Sequence, residues 1–167
     1  SRSKISARQA LVFTLTGFVI GAHWITFFLA VKVANVSICM VGVATLSLWT
    51  AILEPLLIKK RKLRAIDLIF GAVILVGVAI IYRSELEYSH GFLIAILSAF
   101  LAAAFSIVNS FHITKAHHLV ITLYEMAGAC LFSLTFLLIL EGEIPLPPRS
   151  LDWLWLIVLA VFCTVVA

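Results

Sequence analysis

Among the ionisable side chains that fall within long apolar stretches of this sequence are His23, Glu54 and Glu125. An ionisable group in hydrocarbon carries a free-energy penalty, so each such position asks for a partner or a task. Helical spacing groups each of them with other polar residues. Thr16, His23, Thr26 and Ala30 share one stripe, which either faces a cavity or packs as a histidine bonded to a neighbouring helix. Trp24 adjoins it and offers a flat surface for stacking a solute, or simple bulk for packing. Ser47, Thr50 and Glu54 align farther on, with Glu54 one turn before Lys59 and so near a boundary, where it serves as an interfacial carboxylate, a partner for the Lys cluster, or a pathway group. Thr122, Glu125, Ala129 and Ser133 align in a later stretch. Glu125 lies deeper than Glu54 and is the preferred group for exchanging a proton or holding a solute amine; a structural hydrogen bond between helices is the competing role. Asn109 joins the same set of pathway candidates.

Other residue types fit packing better than chemistry. Gly17 and Gly21 form a Gly-x-x-x-Gly pair roughly opposite the His23 stripe, a spacing that lets a neighbouring helix approach closely. Gly91, Ala95, Ala99 and Ala103 recur at every fourth position and make a second small-residue seam, with Ser98, Ser106 and Asn109 on another face. Cys39, Cys130 and Cys163 lie in apolar surroundings without metal-ligand spacing. His112, His117 and His118 cluster near a loop, where water-facing rings are expected and a metal or haem ligand is the alternative. Gly-rich phosphate loops, His-Glu-x-x-His and serine-nucleophile motifs are all absent from the sequence, so the expectation is no enzyme, no cofactor and no metal.

The elements that carry these residues are read from composition. Of the 167 residues, 63% are hydrophobic and 12% charged; a soluble domain carries about 25% charged residues. So few charges cannot clothe a water-facing surface, but they suit one facing lipid. The apolar residues fall into six blocks: Ala10–Val31, Val36–Ile58, Ile66–Tyr82, Gly91–Thr114, Leu119–Leu140 and Leu151–Ala167. A helix of ~20 residues spans the ~30 Å hydrocarbon core. The expected fold is therefore all-α, a polytopic membrane bundle of six transmembrane helices. The sixth block runs to the last residue and the first residues are polar and basic, so both ends read as cuts in a longer chain.

Charge placement sets an orientation. Alternating the connections puts Arg2, Lys4, Arg8, the run Lys59, Lys60, Arg61, Lys62 and Arg64, and Lys115 on one side. The opposite side takes Lys32, Arg83 and Arg149 together with Glu85, Glu87, Glu141, Glu143 and Asp152. Short cytoplasmic loops are enriched in Lys and Arg, so the first residues are expected in the cytoplasm. The net charge of +4 is accounted for by these loops, which predicts no nucleic-acid partner.

Four stretches carry a family resemblance. Leu29–Ala34 turns almost at once into a helix holding Leu48-Trp49-Thr50-Ala51-Ile52-Leu53; a basic connection leads to Asp67–Val78, and a new helix opens at Gly91–Phe100. This order resembles the EamA family of the drug/metabolite transporter superfamily. Ser47 stands where that family often has a proline, and Lys60 where it usually has an acid. The resemblance implies a ten-helix carrier of two inverted five-helix repeats, with this chain covering helices three to eight. Residues 1–82 would close the first repeat and 83–167 open the second. It further implies a secondary transporter in a bacterial inner membrane, exporting amino acids or related small metabolites by alternating access. The lipid bilayer and a small-molecule substrate are then the partners, and a homodimer is compatible. A membrane redox or metal-binding subunit and a non-transporting assembly subunit are the alternative readings.

Overall fold

The computed structural model describes residues 5–58, 64–84, 86–114, 116–142 and 149–161. Arg2, Lys4, Lys59, Lys60, Arg61, Lys62, Glu85, Lys115, Glu143 and Cys163 lie outside the described residues, so much of the charge pattern does too. Helices account for nearly all of the rest, and the described residues include no strand: α1 (Ala7–Val33), α2 (Val36–Val43), α3 (Leu46–Leu57), α4 (Ala65–Ser84), α5 (Ser89–His112), α6 (His118–Glu141) and α7 (Ser150–Ala160). A single 3-10 turn, Leu86–Tyr88, precedes α5.

Local chemistry explains where the helices start and stop. Ser6 and Gln9 cap α1 reciprocally: the Gln9 N–H donates to Ser6 Oγ at 3.2 Å, and the Ser6 N–H donates to Gln9 Oε1 at 3.0 Å. Asn35 accepts from the Ile38 N–H at 2.9 Å and so opens α2 two residues after α1 ends. Arg64 and Asp67 frame the start of α4 with a salt bridge of 3.0 Å. Those hydrogen bonds to Asp67 push the Arg64 guanidinium up from its already high range, so the cation persists at every physiological pH. After α6, Gly142 takes a φ of +72°, a left-handed turn in which a side chain would strain the backbone.

The second apolar block departs from the single helix expected over Val36–Ile58. It breaks at Ala44 and Thr45, between α2 and α3. The Thr45 hydroxyl donates to the Gly42 carbonyl at 2.6 Å, and the Thr45 N–H reaches the same oxygen at 3.1 Å. A side chain that hydrogen-bonds the preceding turn competes with the regular ladder and tightens it locally. The Trp49 N–H then donates to the Thr45 carbonyl at 3.0 Å and regular helix resumes. Pro55, inside α3, offers no N–H to the Ala51 carbonyl, and the helix ends two residues later.

The chain packs as two compact units, Ser1–Leu134 and Thr135–Ala167. In the first, α5 is the central element: α1, α2 and α3 all pack on it, and α4 lies against α3 and α2. Its small-residue face makes this possible. Ala95, Ala99 and Ala103 are fully buried, and Ala95 joins Ala30 of α1 and Cys39 of α2 in a core ringed by Phe27, Val31, Val43 and Ile94. Gly91 lies against Ala34, so that a side chain there would collide with the Ala34 methyl. The second unit holds the end of α6 and the helix α7, which starts with the Arg149 N–H donating to the Asp152 carboxylate at 3.3 Å.

Large apolar side chains cover the outside. Ile139 is 75% exposed, Leu56 73%, Leu123 67% and Ile80 66%. Isolated exposed apolar residues are ordinary in a soluble protein, but large exposed apolar side chains along every one of these helices are not. Among the described residues, four stretches are long and apolar enough to cross a membrane: Ala7–Val33, the broken pair Val36–Leu57, Ser89–His112 and His118–Leu140. Ala65–Ile81 and Ser150–Ala160 are shorter apolar helices. An all-α bundle with four membrane-length helices and an apolar exterior fits a membrane protein.

Candidate functional site

The polar interior is organised by two helix pairs. In the first, α1 meets α5. His23 Nδ1 lies 2.9 Å from the Ser98 carbonyl and 2.9 Å from Ser98 Oγ, while that hydroxyl also reaches the His23 carbonyl at 3.1 Å. With Nδ1 protonated, the ring donates to the Ser98 carbonyl and the Ser98 hydroxyl donates to the His23 carbonyl, which satisfies both groups. The ring is further held between Phe27 and Phe105, with centroids at 6.3 and 5.8 Å. This is a cross-helix tether built from a fully buried serine. Replacing Ser98 with alanine should cost about 1 kcal/mol, because the ring keeps its bond to the carbonyl. Thermal unfolding in detergent measures that loss.

In the second pair, α1 meets α6 through glycine. Gly17 lies directly on the backbone of Glu125, and Gly128 on the backbone of Thr14, so a side chain at either position would collide with a carbonyl oxygen. Gly21 continues the contact toward Ala129 and Phe132. This close approach buries the Glu125 side chain, which is 5% exposed. Its Oε2 accepts a hydrogen bond from Asn109 Nδ2 of α5 at 3.3 Å.

Beside this pair a groove of about 420 Å³ opens between α5 and α6. The α5 side presents Phe105, Ser106, Asn109 and Ser110. The α6 side presents Ile121, Thr122 and Glu125, with His118 near its start. The Ser110 hydroxyl donates back to the Ile107 carbonyl at 2.7 Å and keeps lone pairs free to accept. Two buried oxygens, Glu125 Oε1 and Asn109 Oδ1, have no hydrogen-bond partner among the described residues. Phe105 also borders an apolar hollow of about 230 Å³ against Val12, Thr16 and Val19 of α1.

The pathway candidates therefore divide. Asn109 and Glu125 meet, and His23 reaches the same helix α5 through Ser98, eleven residues before Asn109 along it. Thr26 turns its hydroxyl back to the Ala22 and His23 carbonyls at 2.8 and 2.9 Å, and Trp24 stands 37% exposed on α1. Ser47 and Thr50 likewise bond carbonyls of their own chain, Ala44 at 3.3 Å and Leu46 at 2.9 Å. Those two and Glu54 belong to α3 and do not line the groove. No three His, Cys, Asp or Glu side chains converge among the described residues. The groove also recruits Ser106, Ser110 and Thr122, which were outside the candidate set. Their signal was present in the spacing: 106, 109, 110 and 113 on one helix and 118, 121, 122 and 125 on the next each form a stripe at i, i+3, i+4 and i+7.

No protein-family model, curated protein or solved structure matches the chain.

Proposed function

We propose that this chain belongs to a secondary carrier of the EamA type that moves a small metabolite, an amino acid or related compound, outward across the membrane. One observation carries the reading: the buried carboxyl group of Glu125 and the half-buried carboxamide of Asn109 line a groove between two helices of membrane-spanning length. Intramembrane ionisable groups of this kind mark solute and ion pathways. The resemblance to the EamA family supplies the remainder of the proposal. In it, all six apolar helices span a bacterial inner membrane with the first residues in the cytoplasm. They correspond to helices three to eight of ten, and the two repeats meet near residues 82 and 83.

The mechanism follows from that architecture. Two half-bundles rock about a site near the midplane, opening it to each side in turn. The break between α2 and α3 supports such motion, because irregular backbone inside a membrane is tolerated where it lines a cavity or packs in protein. A solute or ion gradient supplies the driving force, with Glu125 as the group that couples it.

Flux measured in proteoliposomes containing the full-length protein tests the proposal. Radiolabelled amino acids are expected to cross faster than in protein-free vesicles, and Glu125→Gln should slow them by at least about tenfold. Background flux across a broad metabolite panel would rule out the carrier. A Glu125→Gln protein whose flux kept its rate and its pH dependence would remove Glu125 from the coupling.

A further inference from the structure

The two orphan oxygens in the groove specify a ligand chemistry. Glu125 Oε1 and Asn109 Oδ1 are both buried, and neither has a hydrogen-bond partner among the described residues. Their roles are fixed by the bond between the two side chains: Asn109 spends an N–H on Glu125 Oε2, which leaves its carbonyl oxygen as a pure acceptor. Two touching planar groups thus each hold one unsatisfied, buried acceptor on a residue that lines the groove. A buried acceptor left without a donor is costly, and a carboxylate without a counter-charge more so. A cation that donates hydrogen bonds is one group that would satisfy both.

The rest of the groove narrows the choice. A volume of about 420 Å³ is far larger than a bare ion needs and lies in the range of small-molecule sites. Its walls alternate apolar side chains, Phe105, Ile113 and Ile121, with the hydroxyls of Ser106 and Thr122. Such walls accept a carbon skeleton and a third N–H. We infer that the groove between α5 and α6 binds a solute through its primary ammonium group, with Glu125 Oε1 and Asn109 Oδ1 as the two principal acceptors. The inference rests on the carrier reading for its biological use, while binding itself stands apart from transport.

Equilibrium binding to the purified full-length protein in detergent is the test, with phenethylamine as probe and its neutral analogue 2-phenylethanol as control. The amine is expected to bind saturably and the alcohol at least about tenfold more weakly, since hydrogen bonds to a charged group are worth that much or more. Glu125→Gln should weaken amine binding by at least about tenfold, and Asn109→Leu by severalfold. A second measurement needs no variant: the amine should protect Glu125 of the wild-type protein from modification by dicyclohexylcarbodiimide, read by peptide mass spectrometry. Equal affinity for amine and alcohol would overturn the site. So would undiminished amine binding in a folded Glu125→Gln protein, or protection of Glu125 by Na+ but not by the amine. Binding without flux would keep the site and remove the carrier, whereas amino-acid flux without amine binding would do the reverse.

Discussion

Replacing Gly17 with leucine is expected to break the contact between α1 and α6 and to lower the unfolding temperature by about 10 °C or more. The reason is that the obstacle is backbone. A Cβ on Gly17 would overlap the Glu125 carbonyl, and the reciprocal glycine, Gly128, sits equally close to the Thr14 carbonyl. A flexible side chain could swing aside, but a carbonyl within a helix cannot move unless the whole helix does. Overpacking of this kind costs about 1–3 kcal/mol even where neighbours yield. Here it must also separate two helices whose pairing depends on close packing, since lipid provides no hydrophobic drive toward it. Because the residue displaced is Glu125 itself, amine binding should be lost together with stability. Gly77→Ala is the control: nothing lies within 4 Å of a Cβ built there, so its helix should be unchanged or slightly firmer. Thermal unfolding and gel filtration in detergent compare the two. A Gly17→Leu protein that melted with the wild type would mean that α1 and α6 do not pack through these glycines.

Ala95→Leu should be nearly as damaging, but with a different signature. Ala95 is fully buried in the core it forms with Ala30 and Cys39, and Gly42 lies close against its methyl group. Three added carbons have no space to enter, and α2 must lift from α5 to admit them. The cost is about 1–3 kcal/mol, or a fall of about 2–12 °C. The groove is remote, however. Fourteen residues separate Ala95 from Asn109, about 21 Å along the helix at 1.5 Å per residue. The fraction that remains folded should therefore bind phenethylamine with wild-type affinity, which Gly17→Leu should not. Leu97→Ala, at a position 49% exposed, should alter neither stability nor binding. Loss of amine affinity in folded Ala95→Leu would show that the α2 contact and the groove are coupled.

These two substitutions show how packing and polar chemistry share the same helices. The face of α5 that carries Ala95, Ala99 and Ala103 has no side chain large enough to hold its neighbours away, so α1, α2 and α3 can all settle on one helix. That crowding brings His23 within reach of Ser98 and sets Asn109 opposite Glu125. In the sequence, Ser98 lay on a face apart from the alanine seam and His23 lay on another helix 75 residues away. Helical periodicity places residues on a face, but it carries no information about which face meets which.

The charged and apolar pattern alone was enough to determine an all-helical chain with a lipid-compatible exterior, because burial in hydrocarbon demands long uncharged runs whose backbone satisfies itself. The small-residue spacing of α1 and α5 was readable for the same reason: close helix approach leaves a repeat every fourth position. The chemistry was not readable to that degree. His23 stood out as an ionisable group in an apolar stretch, yet only the tertiary structure assigned its ring to Ser98 and left it as a tether. Glu125 stood out from Glu54 as the deeper acid, yet only the packing of α1 on α6 buried it against Asn109 and gave it the groove. Side-chain hydrogen bonds between distant helices depend on which pairs come together, and many pairings satisfy the same apolar pattern equally well. Lateral helix choice in a membrane is decided by shape at close range, and that shape exists only once the helices are assembled.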